Sequence, residues 1–370
     1  MIPDDLARGR DAAPAVPAAW LEPPAPLGAA DGVDAALLEA GRARGASDEA
    51  IRDAVLALVG ATSAEDVASW SALVDRCLRL GRVDAALARL SEGHLDALRV
   101  LRELGAEPEP GALYGVWASK SRGSGWRAEP EGEGAWRIDG TLRFASGAGL
   151  LDRALTTVPG ERPDDDAQLL LDLDVSALRG DEGSWRTEAM ARSRSLDLEG
   201  DGVVVAGRRI GGPGAYLGRW GFLPGGAGVA ACWAGGIARL MDVLADRLRG
   251  QAAAGREPGE LQLARLGGIR VEAASSAALC RRTGAMLDRL AAADAEAGAA
   301  AELAALCRAG VALSGRRALE LARPLAGASA LAHEDALIQA VADLELYLAQ
   351  HPHDLALAGL GRRLLDGPGA

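Results

Sequence analysis

The stretch Trp117–Asp152, WASKSRGSGWRAEPEGEGAWRIDGTLRFASGAGLLD, decides the fold of this chain. Apolar and polar residues alternate on both sides of a polar pair, Asp139-Gly140. The alternating apolar positions are Trp136, Ile138, Leu142 and Phe144. A period of two indicates strands, and an Asp-Gly pair between two such runs favours a tight turn. The sequence therefore predicts a β-hairpin inside a chain that is otherwise mostly helical.

The charge balance excludes one broad class of function. The chain has 370 residues, with 40 Lys and Arg against 52 Asp and Glu, and a net charge of −12. A nucleic-acid binder needs a basic surface that neutralises phosphates, and no basic stripe is present. A single arginine or a helix N-terminus can still hold a phosphate-bearing cofactor. We therefore expect a small-molecule site and no nucleic-acid partner.

The pattern of apolar residues and cysteines predicts a cytoplasmic protein. The first residues lack a basic region followed by an apolar run, and no uninterrupted apolar run reaches membrane-spanning length. The cysteines are widely spaced in apolar surroundings, without the spacing of metal ligands. They are Cys77, Cys232, Cys280 and Cys307. We expect buried thiols in a reducing compartment, no metal site and no membrane span.

Three regions differ in their periodicity. Residues 1–110 contain helical apolar stripes that stop before Pro108 and Pro110. Residues 111–210 contain short apolar segments separated by Gly, Asp and Pro, which is typical of an antiparallel β-domain. Residues 211–370 return to helical periodicity. The predicted domains are therefore an N-terminal helical domain, a middle β-domain and a C-terminal helical bundle.

This order resembles the acyl-CoA dehydrogenase superfamily. Residues Arg82–His94 resemble the helix that precedes the β-domain in that family, and Gly225–Ala230 resembles the start of its C-terminal bundle. The resemblance spans roughly residues 65–360. It implies an α+β fold with N-terminal helices, a middle antiparallel β-domain and a helical bundle. The Ala- and Leu-rich helices after residue 227 offer more apolar surface than one small bundle needs, which predicts a homodimer or tetramer, or assembly with a related family subunit.

The resemblance further implies FAD and two flavin-contacting segments. The matching positions are Trp117, Ala118 and Ser119 in the first segment, and Phe144, Ala145, Ser146 and Gly147 in the second. A flavin ring requires an apolar or aromatic face and a few fixed hydrogen-bond donors that tune its electronics. The Ser146 hydroxyl is one such donor, and small neighbours allow the backbone to approach the ring.

Two family features are absent or altered. The sequence lacks the family's Arg-x-Phe-Gly element. In the family the arginine of this element reaches the flavin pyrophosphate across a subunit interface. Arg265 and Arg270 are the nearest substitutes here. The position that matches the catalytic carboxylate is Asp343, followed by Leu344-Glu345 in place of Gly-Thr. With Asp343 as the base that removes a proton, the resemblance implies FAD-dependent α,β-dehydrogenation of an acyl thioester.

Two alternatives remain open from the sequence. Flavin-dependent monooxygenases of the same fold use reduced flavin from a separate reductase and carry histidines on the helix before the β-domain and near the C-terminus. His94 and His351 match those places, and imidazole manages protons near neutral pH. The missing arginine and the altered base also suit a non-enzymatic partner subunit. Whether the purified protein is yellow would separate these hypotheses.

Overall fold

The computed structural model describes residues 22–60, 64–118, 125–160, 167–293 and 295–366. The N-terminal region is helical. The α-helices among its described residues are α1 (Ala35–Arg42), α2 (Asp48–Gly60), α3 (Trp70–Val83) and α4 (Ala85–Glu103). Asp84 separates α3 from α4 and accepts hydrogen bonds from the Ala86 and Leu87 amides, so it is the N-cap of α4.

The middle region is a mixed β-structure, which confirms the fold class. Its strands are β1 (Tyr114–Trp117), β2 (Arg127–Pro130), β3 (Ala135–Asp139), β4 (Thr141–Ala145), β5 (Arg153–Pro159), β6 (Gln168–Asp174), β7 (Leu196–Glu199) and β8 (Val203–Ile210). Six form one sheet in the order β1-β5-β6-β8-β3-β2, and β4 pairs with β7 separately. The predicted antiparallel arrangement holds except for β1 and β5, which are parallel. Parallel pairing is possible because a long excursion of chain separates these two strands.

The predicted hairpin around Asp139-Gly140 is wrong. β3 pairs with β2 and β8, whereas β4 pairs with β7, so the two strands belong to different sheets. Gly140 has φ +99°, a conformation that L side chains rarely adopt. The Asp-Gly pair therefore moves the chain from one sheet to the other, and the alternating pattern on both sides satisfies two separate partners.

The C-terminal region is a helical bundle. After the short helix α5 (Ala215–Gly218), the helices are α6 (Gly226–Ala253), α7 (Glu260–Ala292), α8 (Ala297–His333), α9 (Asp335–Ala349) and α10 (His353–Asp366). Helix α6 contacts α3 so closely that a Cβ at Gly81 would lie 2.1 Å from the Cys232 carbonyl oxygen. Helix α8 contains Pro324 and bends at Gly327, where the backbone is not helical.

Two helices of the bundle, α6 and α8, are long and apolar enough to cross a membrane by length and composition alone. Helix α6 packs against α3, α7 and α8, and α8 packs against α7 and α9. Core helices of water-soluble folds share this composition, and both helices are part of the packed bundle. Strand β1 in turn packs on α4, which brings the end of β1 beside the polar side of that helix.

Candidate functional site

A cavity of about 660 Å³ lies where the β-domain meets the helices. The β-domain contributes the end of β1, the end of β4, Trp185 and the segment around Ser193. Helices α4, α5, α6, α8 and α9 contribute the other side. The lining includes Arg89, Glu92, Trp117, Phe144, Ser146, Ser195, Arg308 and Tyr347. The lining therefore combines aromatic surface with ionisable groups, as ligand sites commonly do.

Trp117 joins the two predicted flavin-contacting segments. Its indole Nε1 donates a hydrogen bond to the Ser146 carbonyl oxygen at 2.8 Å, and its ring packs edge-on against Trp126. The Trp117 carbonyl oxygen accepts a hydrogen bond from the Thr156 hydroxyl at 3.0 Å. These contacts fix the end of β1 against the end of β4, so both segments present a rigid surface to the cavity.

A chain of hydroxyl groups follows on the same wall. The Ser146 and Ser195 hydroxyl oxygens are 2.8 Å apart, and Ser195 is equally close to the Ser193 hydroxyl. All three serines line the cavity. Because each hydroxyl can donate and accept, the chain can turn a donor toward a ligand without leaving a neighbour unpaired.

Phe144 has an unusual conformation beside these serines. Its φ is +59°, and its side chain is 54% exposed although it lines the cavity. The left-handed region is costly for a bulky residue, and an apolar ring in contact with solvent adds to that cost. Strained residues concentrate at ligand sites, where the geometry they impose is useful. Phe144 is therefore a candidate ligand-contacting ring.

Helix α4 supplies an ionisable face to the cavity. The Arg89 guanidinium donates to the Glu92 carboxylate at 3.0 Å, and both residues line the cavity. Burial raises the pKa of Glu92 to about 7, although the positive charge of Arg89 opposes this change. Asp96, one turn further along, has a pKa raised by burial and faces the Arg219 guanidinium at 3.6 Å. A carboxyl group that titrates near neutral pH is suited to proton transfer.

Comparison with known proteins gives the fold and leaves the activity open. No family model and no curated protein matches the chain. Among solved structures, TdsC from Paenibacillus sp. A11-2 with FMN and indole matches with a TM-score of 0.72 at 19% identity, over 89% of this chain and 94% of that one. Butyryl-CoA dehydrogenase from Megasphaera elsdenii matches with a TM-score of 0.69 at 14% identity, over 86% and 90%. The chain has the acyl-CoA dehydrogenase fold.

Both monooxygenases and a dehydrogenase share the acyl-CoA dehydrogenase fold. Methanesulfinate monooxygenase MsuC from Pseudomonas fluorescens matches with a TM-score of 0.68 at 18% identity, over 89% of this chain and 94% of that one. Identities this low establish the fold alone, because one fold supports several chemistries. The structural neighbours are flavoproteins of this fold, so a flavin cofactor is consistent with it.

The structure brings most of the predicted flavin-contacting residues of this acyl-CoA dehydrogenase fold together. Trp117, Ala118, Phe144 and Ser146 line the cavity. Ala145 lies between Phe144 and Ser146 in the chain, and Gly147 follows Ser146. The Gly147 amide donates a hydrogen bond to the Ser193 carbonyl oxygen at 2.9 Å. Ser119 lies outside the described residues. The role of these residues in flavin binding stays a prediction.

The two histidines lie outside this cavity lining. The His94 Nδ1 accepts a hydrogen bond from the Tyr114 amide at 3.1 Å, and burial lowers the pKa of His94 to about 4. His351 packs against the Trp233 ring, and burial, with the nearby Arg308 charge, lowers its pKa to about 4. Both imidazoles are therefore neutral at physiological pH, and their predicted role in proton management stays untested.

Asp343 is also placed away from this cavity. It is buried, accepts a hydrogen bond from the Met190 amide at 2.6 Å, and contributes to a second cavity of about 460 Å³. Burial and the nearby Asp84 charge raise the pKa of Asp343 to about 7, against the effect of Arg192. Its predicted role as the catalytic base stays a prediction that these contacts do not favour.

The possible substitutes for the missing pyrophosphate arginine are on the outside of the bundle. The Arg270 guanidinium pairs with Glu22, and the Arg265 guanidinium donates to the Pro324 carbonyl oxygen at 3.4 Å. Neither residue lines the cavity described above. Within the described residues of this chain, neither arginine is therefore positioned to hold a phosphate near the ring-contacting segments.

Sequence reasoning missed the ionisable residues of the site. Arg89, Glu92 and Asp96 recur at spacings of three and four, so they share one face of α4. The apolar stripe of α4 predicts a buried helix, and charged residues on a buried helix need partners. This signal could have identified them. Arg308 and Tyr347 lie far apart in sequence, and no local pattern joins them.

Proposed function

We propose that this protein is a flavin-dependent oxidoreductase whose flavin ring and substrate share the cavity between α4 and the β-domain. One observation carries the proposal. The ends of β1 and β4, each predicted to contact a flavin, meet on the same cavity wall, and Glu92 of α4 lines that cavity with them. Convergent polar groups with a perturbed pKa in an aromatic cavity are the usual mark of a functional site.

The residues present fit a flavin ring. Trp117 and Phe144 offer aromatic surface, and Ala118 leaves room for a flat ring to approach the backbone. The hydroxyl chain of Ser146, Ser195 and Ser193 offers donors to the polar edge of such a ring. When bound, a flavin would supply the acceptor or donor of two electrons, and the protein would orient the substrate against it. FAD and FMN are both compatible with this arrangement.

Glu92 is the proposed proton-transfer group. It lines the cavity, is buried, and has a pKa of about 7 because burial disfavours its charged form. Arg89 holds its carboxylate by a hydrogen bond of 3.0 Å and favours the ionised form that a base requires. A base whose pKa is near the working pH is present in its ionised form to a large extent and still binds a proton well.

The first candidate reaction is α,β-dehydrogenation of an acyl thioester. In this reaction Glu92 removes the proton next to the thioester carbonyl, and Arg89 stabilises the carboxylate before the transfer. The hydride from the β-carbon would go to the bound flavin as the two-electron acceptor. The position of Glu92 supports this assignment over Asp343, which is hydrogen-bonded to Met190 and paired with Arg192 beside another cavity. A base must come within hydrogen-bond reach of the proton it removes.

The second candidate is a flavin-dependent monooxygenase that receives reduced flavin from a separate reductase. Its support is the similarity to TdsC, a dibenzothiophene monooxygenase, and to MsuC, a methanesulfinate monooxygenase. The predicted histidines do not line the cavity, so Glu92 would replace them as the group that exchanges protons with the substrate. A non-enzymatic partner subunit is the remaining alternative.

Anaerobic flavin reduction tests the proposal. The purified protein is titrated with FAD and FMN, and the loaded protein is mixed with acyl-CoAs of different chain length while flavin absorbance is followed. Dehydrogenation predicts bleaching that Glu92→Gln slows by about a hundredfold or more, since general base catalysis contributes that much. Glu260→Gln, at an exposed position of α7, is the matched control.

Each remaining outcome identifies an alternative. If no acyl-CoA bleaches the flavin but the protein binds FMN or FAD supplied in reduced form, dehydrogenation fails and the monooxygenase is favoured. If neither flavin binds in either redox state, the oxidoreductase proposal fails and the partner subunit remains. Bleaching that is undiminished in Glu92→Gln would exclude Glu92 as the base.

A further inference from the structure

Several buried polar atoms meet around Trp233 without a hydrogen-bond partner in the protein. The atoms are Arg308 Nε, Tyr347 Oη and Trp233 Nε1, together with both ring nitrogens of His351. Among the described residues, none of these atoms has a hydrogen-bond partner. Buried polar groups are nearly always paired in folded proteins, so a local concentration of unpaired ones requires an explanation.

These side chains form one cluster. The Arg308 guanidinium lies 5.6 Å from the Trp233 ring centre, and the Tyr347 and His351 rings lie 6.0 Å and 5.7 Å from it. Trp233 and Tyr347 are almost completely buried. Arg308 and Tyr347 both line the 660 Å³ cavity, so the cluster opens into the proposed active site. We call these four residues the donor cluster.

In the part of the chain that the structure describes, the other charged groups of the cavity have a closer ion-pair partner than Arg308 has. Arg89 pairs with Glu92 at 3.0 Å and Arg219 pairs with Asp96 at 3.6 Å. Among the described residues, Arg308 has no carboxylate within ion-pair distance. Burial lowers its pKa, and the more distant charge of Glu92 opposes this change. Glu92 is hydrogen-bonded to Arg89, so Arg308 has no carboxylate in direct contact, and a desolvated cation without such a contact is costly to the folded protein.

A purely structural role accounts for only part of this arrangement. The guanidinium over the Trp233 ring gains a cation–π interaction, which contributes about 0.5–2 kcal/mol. That interaction leaves the Arg308 Nε and the Tyr347 hydroxyl without acceptors, and it does not explain why both face the cavity. An anionic ligand would satisfy both groups and also place a negative charge in direct contact with Arg308.

We infer that the donor cluster is a substrate subsite that binds a carboxylate, through Arg308 and the Tyr347 hydroxyl. This inference rests on the proposed function, and it narrows the substrate class to compounds that carry an acidic group besides the reacting centre. Arginine suits this task because its planar fork matches the two oxygens of a carboxylate. Neutral His351 and Trp233 each add one N–H donor to the cluster without adding charge.

Binding of benzoate and of its neutral isostere benzamide to the flavin-free protein tests this inference. Isothermal titration at neutral pH measures both affinities, and competition between the two in ligand-observed NMR checks them. We expect benzoate to bind about tenfold or more tightly than benzamide, as a charged hydrogen-bonded contact would give. Equal affinities would overturn the inference.

Variants assign the preference to its residues. Arg308→Gln should remove the preference for benzoate, and Tyr347→Phe, which keeps the ring, should reduce it. Arg317→Gln, at an exposed position on the same helix, should leave it unchanged. A preference that survives Arg308→Gln, or that disappears in Arg143→Gln instead, would overturn the inference. If Arg308→Gln does not fold, Arg308→Met, which keeps an apolar stem and removes the charge, gives the same test.

Flavin titration of the same preparations separates the two proposals. If flavin binds but benzoate has no advantage over benzamide, the carboxylate subsite fails and the oxidoreductase proposal stands. If benzoate is preferred through Arg308 but no flavin binds, the oxidoreductase proposal fails, and the donor cluster remains a carboxylate site with another use.

Discussion

Arg192 and Asp343 form an ion pair of 2.9 Å in which both side chains are at least 95% buried. The same guanidinium lies 2.7 Å from Asp84, the N-cap of α4, and donates to the Arg42 carbonyl oxygen at 2.9 Å. Arg192 thus connects the β-domain to α9 and to the junction of α3 and α4. Asp343, the candidate base from the sequence, is therefore part of the ion-pair network that Arg192 forms.

The first prediction concerns Asp343→Asn. The substitution removes the charge facing Arg192 but keeps an oxygen that can accept from the Met190 amide. We expect a loss of about 1–3 kcal/mol in the free energy of unfolding, because Asp84 still pairs with the arginine. Urea unfolding measures this loss, and Asp335→Asn, at the exposed start of α9, is the control. Normal stability combined with lost flavin reduction would instead make Asp343 the base.

The second prediction concerns the pH dependence of turnover. If Glu92 is the base, the rate of flavin reduction depends on its ionised fraction, and its pKa is about 7. The rate should therefore rise with pH and level off above neutrality. Stopped-flow reduction across this range measures the profile. Loss of the step near pH 7 in Glu92→Gln would agree with the assignment, whereas an unchanged profile in that variant would exclude it.

The third prediction concerns stability and pH. Burial raises the pKa of Glu92 from 4.5 in the unfolded chain to about 7 in the folded one. A raised pKa means that the folded state holds the proton more tightly, so this contribution to stability is complete below about pH 4.5 and is lost as pH rises to about 7. Glu92→Gln should flatten the pH dependence of the unfolding free energy in that window. Unfolding titrations at several pH values measure the slope, and a slope identical to wild type would contradict the prediction.

The sequence predicted the order of the regions because the periodicity of apolar residues follows local geometry. It failed at Asp139-Gly140, since an alternating pattern specifies a buried face but not the partner strand. Phe144 was predicted to continue that pattern, yet a bulge in the pairing of β4 with β7 turns it into the cavity. Glu92 and Arg308 belong to helices that are distant in sequence, and only tertiary packing brings them to one cavity.

The fourth prediction concerns Ser146→Trp. Ser146 lines the cavity and its hydroxyl contacts Ser195, so an indole at this position would occupy the space proposed for the flavin ring. We expect flavin affinity to fall by at least about tenfold, since the loss of one charged or paired contact alone has that effect. Equilibrium titration followed by flavin fluorescence measures it. Ala177→Trp, at an exposed turn, is the control, and unchanged affinity in Ser146→Trp would remove this wall from the flavin site.

The last prediction concerns assembly through the helical bundle. Large apolar side chains are exposed on α7 and α8, including Val271 at 61% and Leu313 at 49%. Exposed apolar surface of this kind marks an interface, and copies of one chain usually pair through a closed symmetric contact. We therefore expect a homodimer or tetramer in sedimentation velocity at micromolar concentration.

Val271→Arg with Leu313→Arg should dissociate this assembly, because two charges in each copy would have to be buried. Val204→Arg on the β-domain should leave it intact. A monomeric wild type would contradict the prediction. Dissociation by Val204→Arg alone would move the interface to the β-domain.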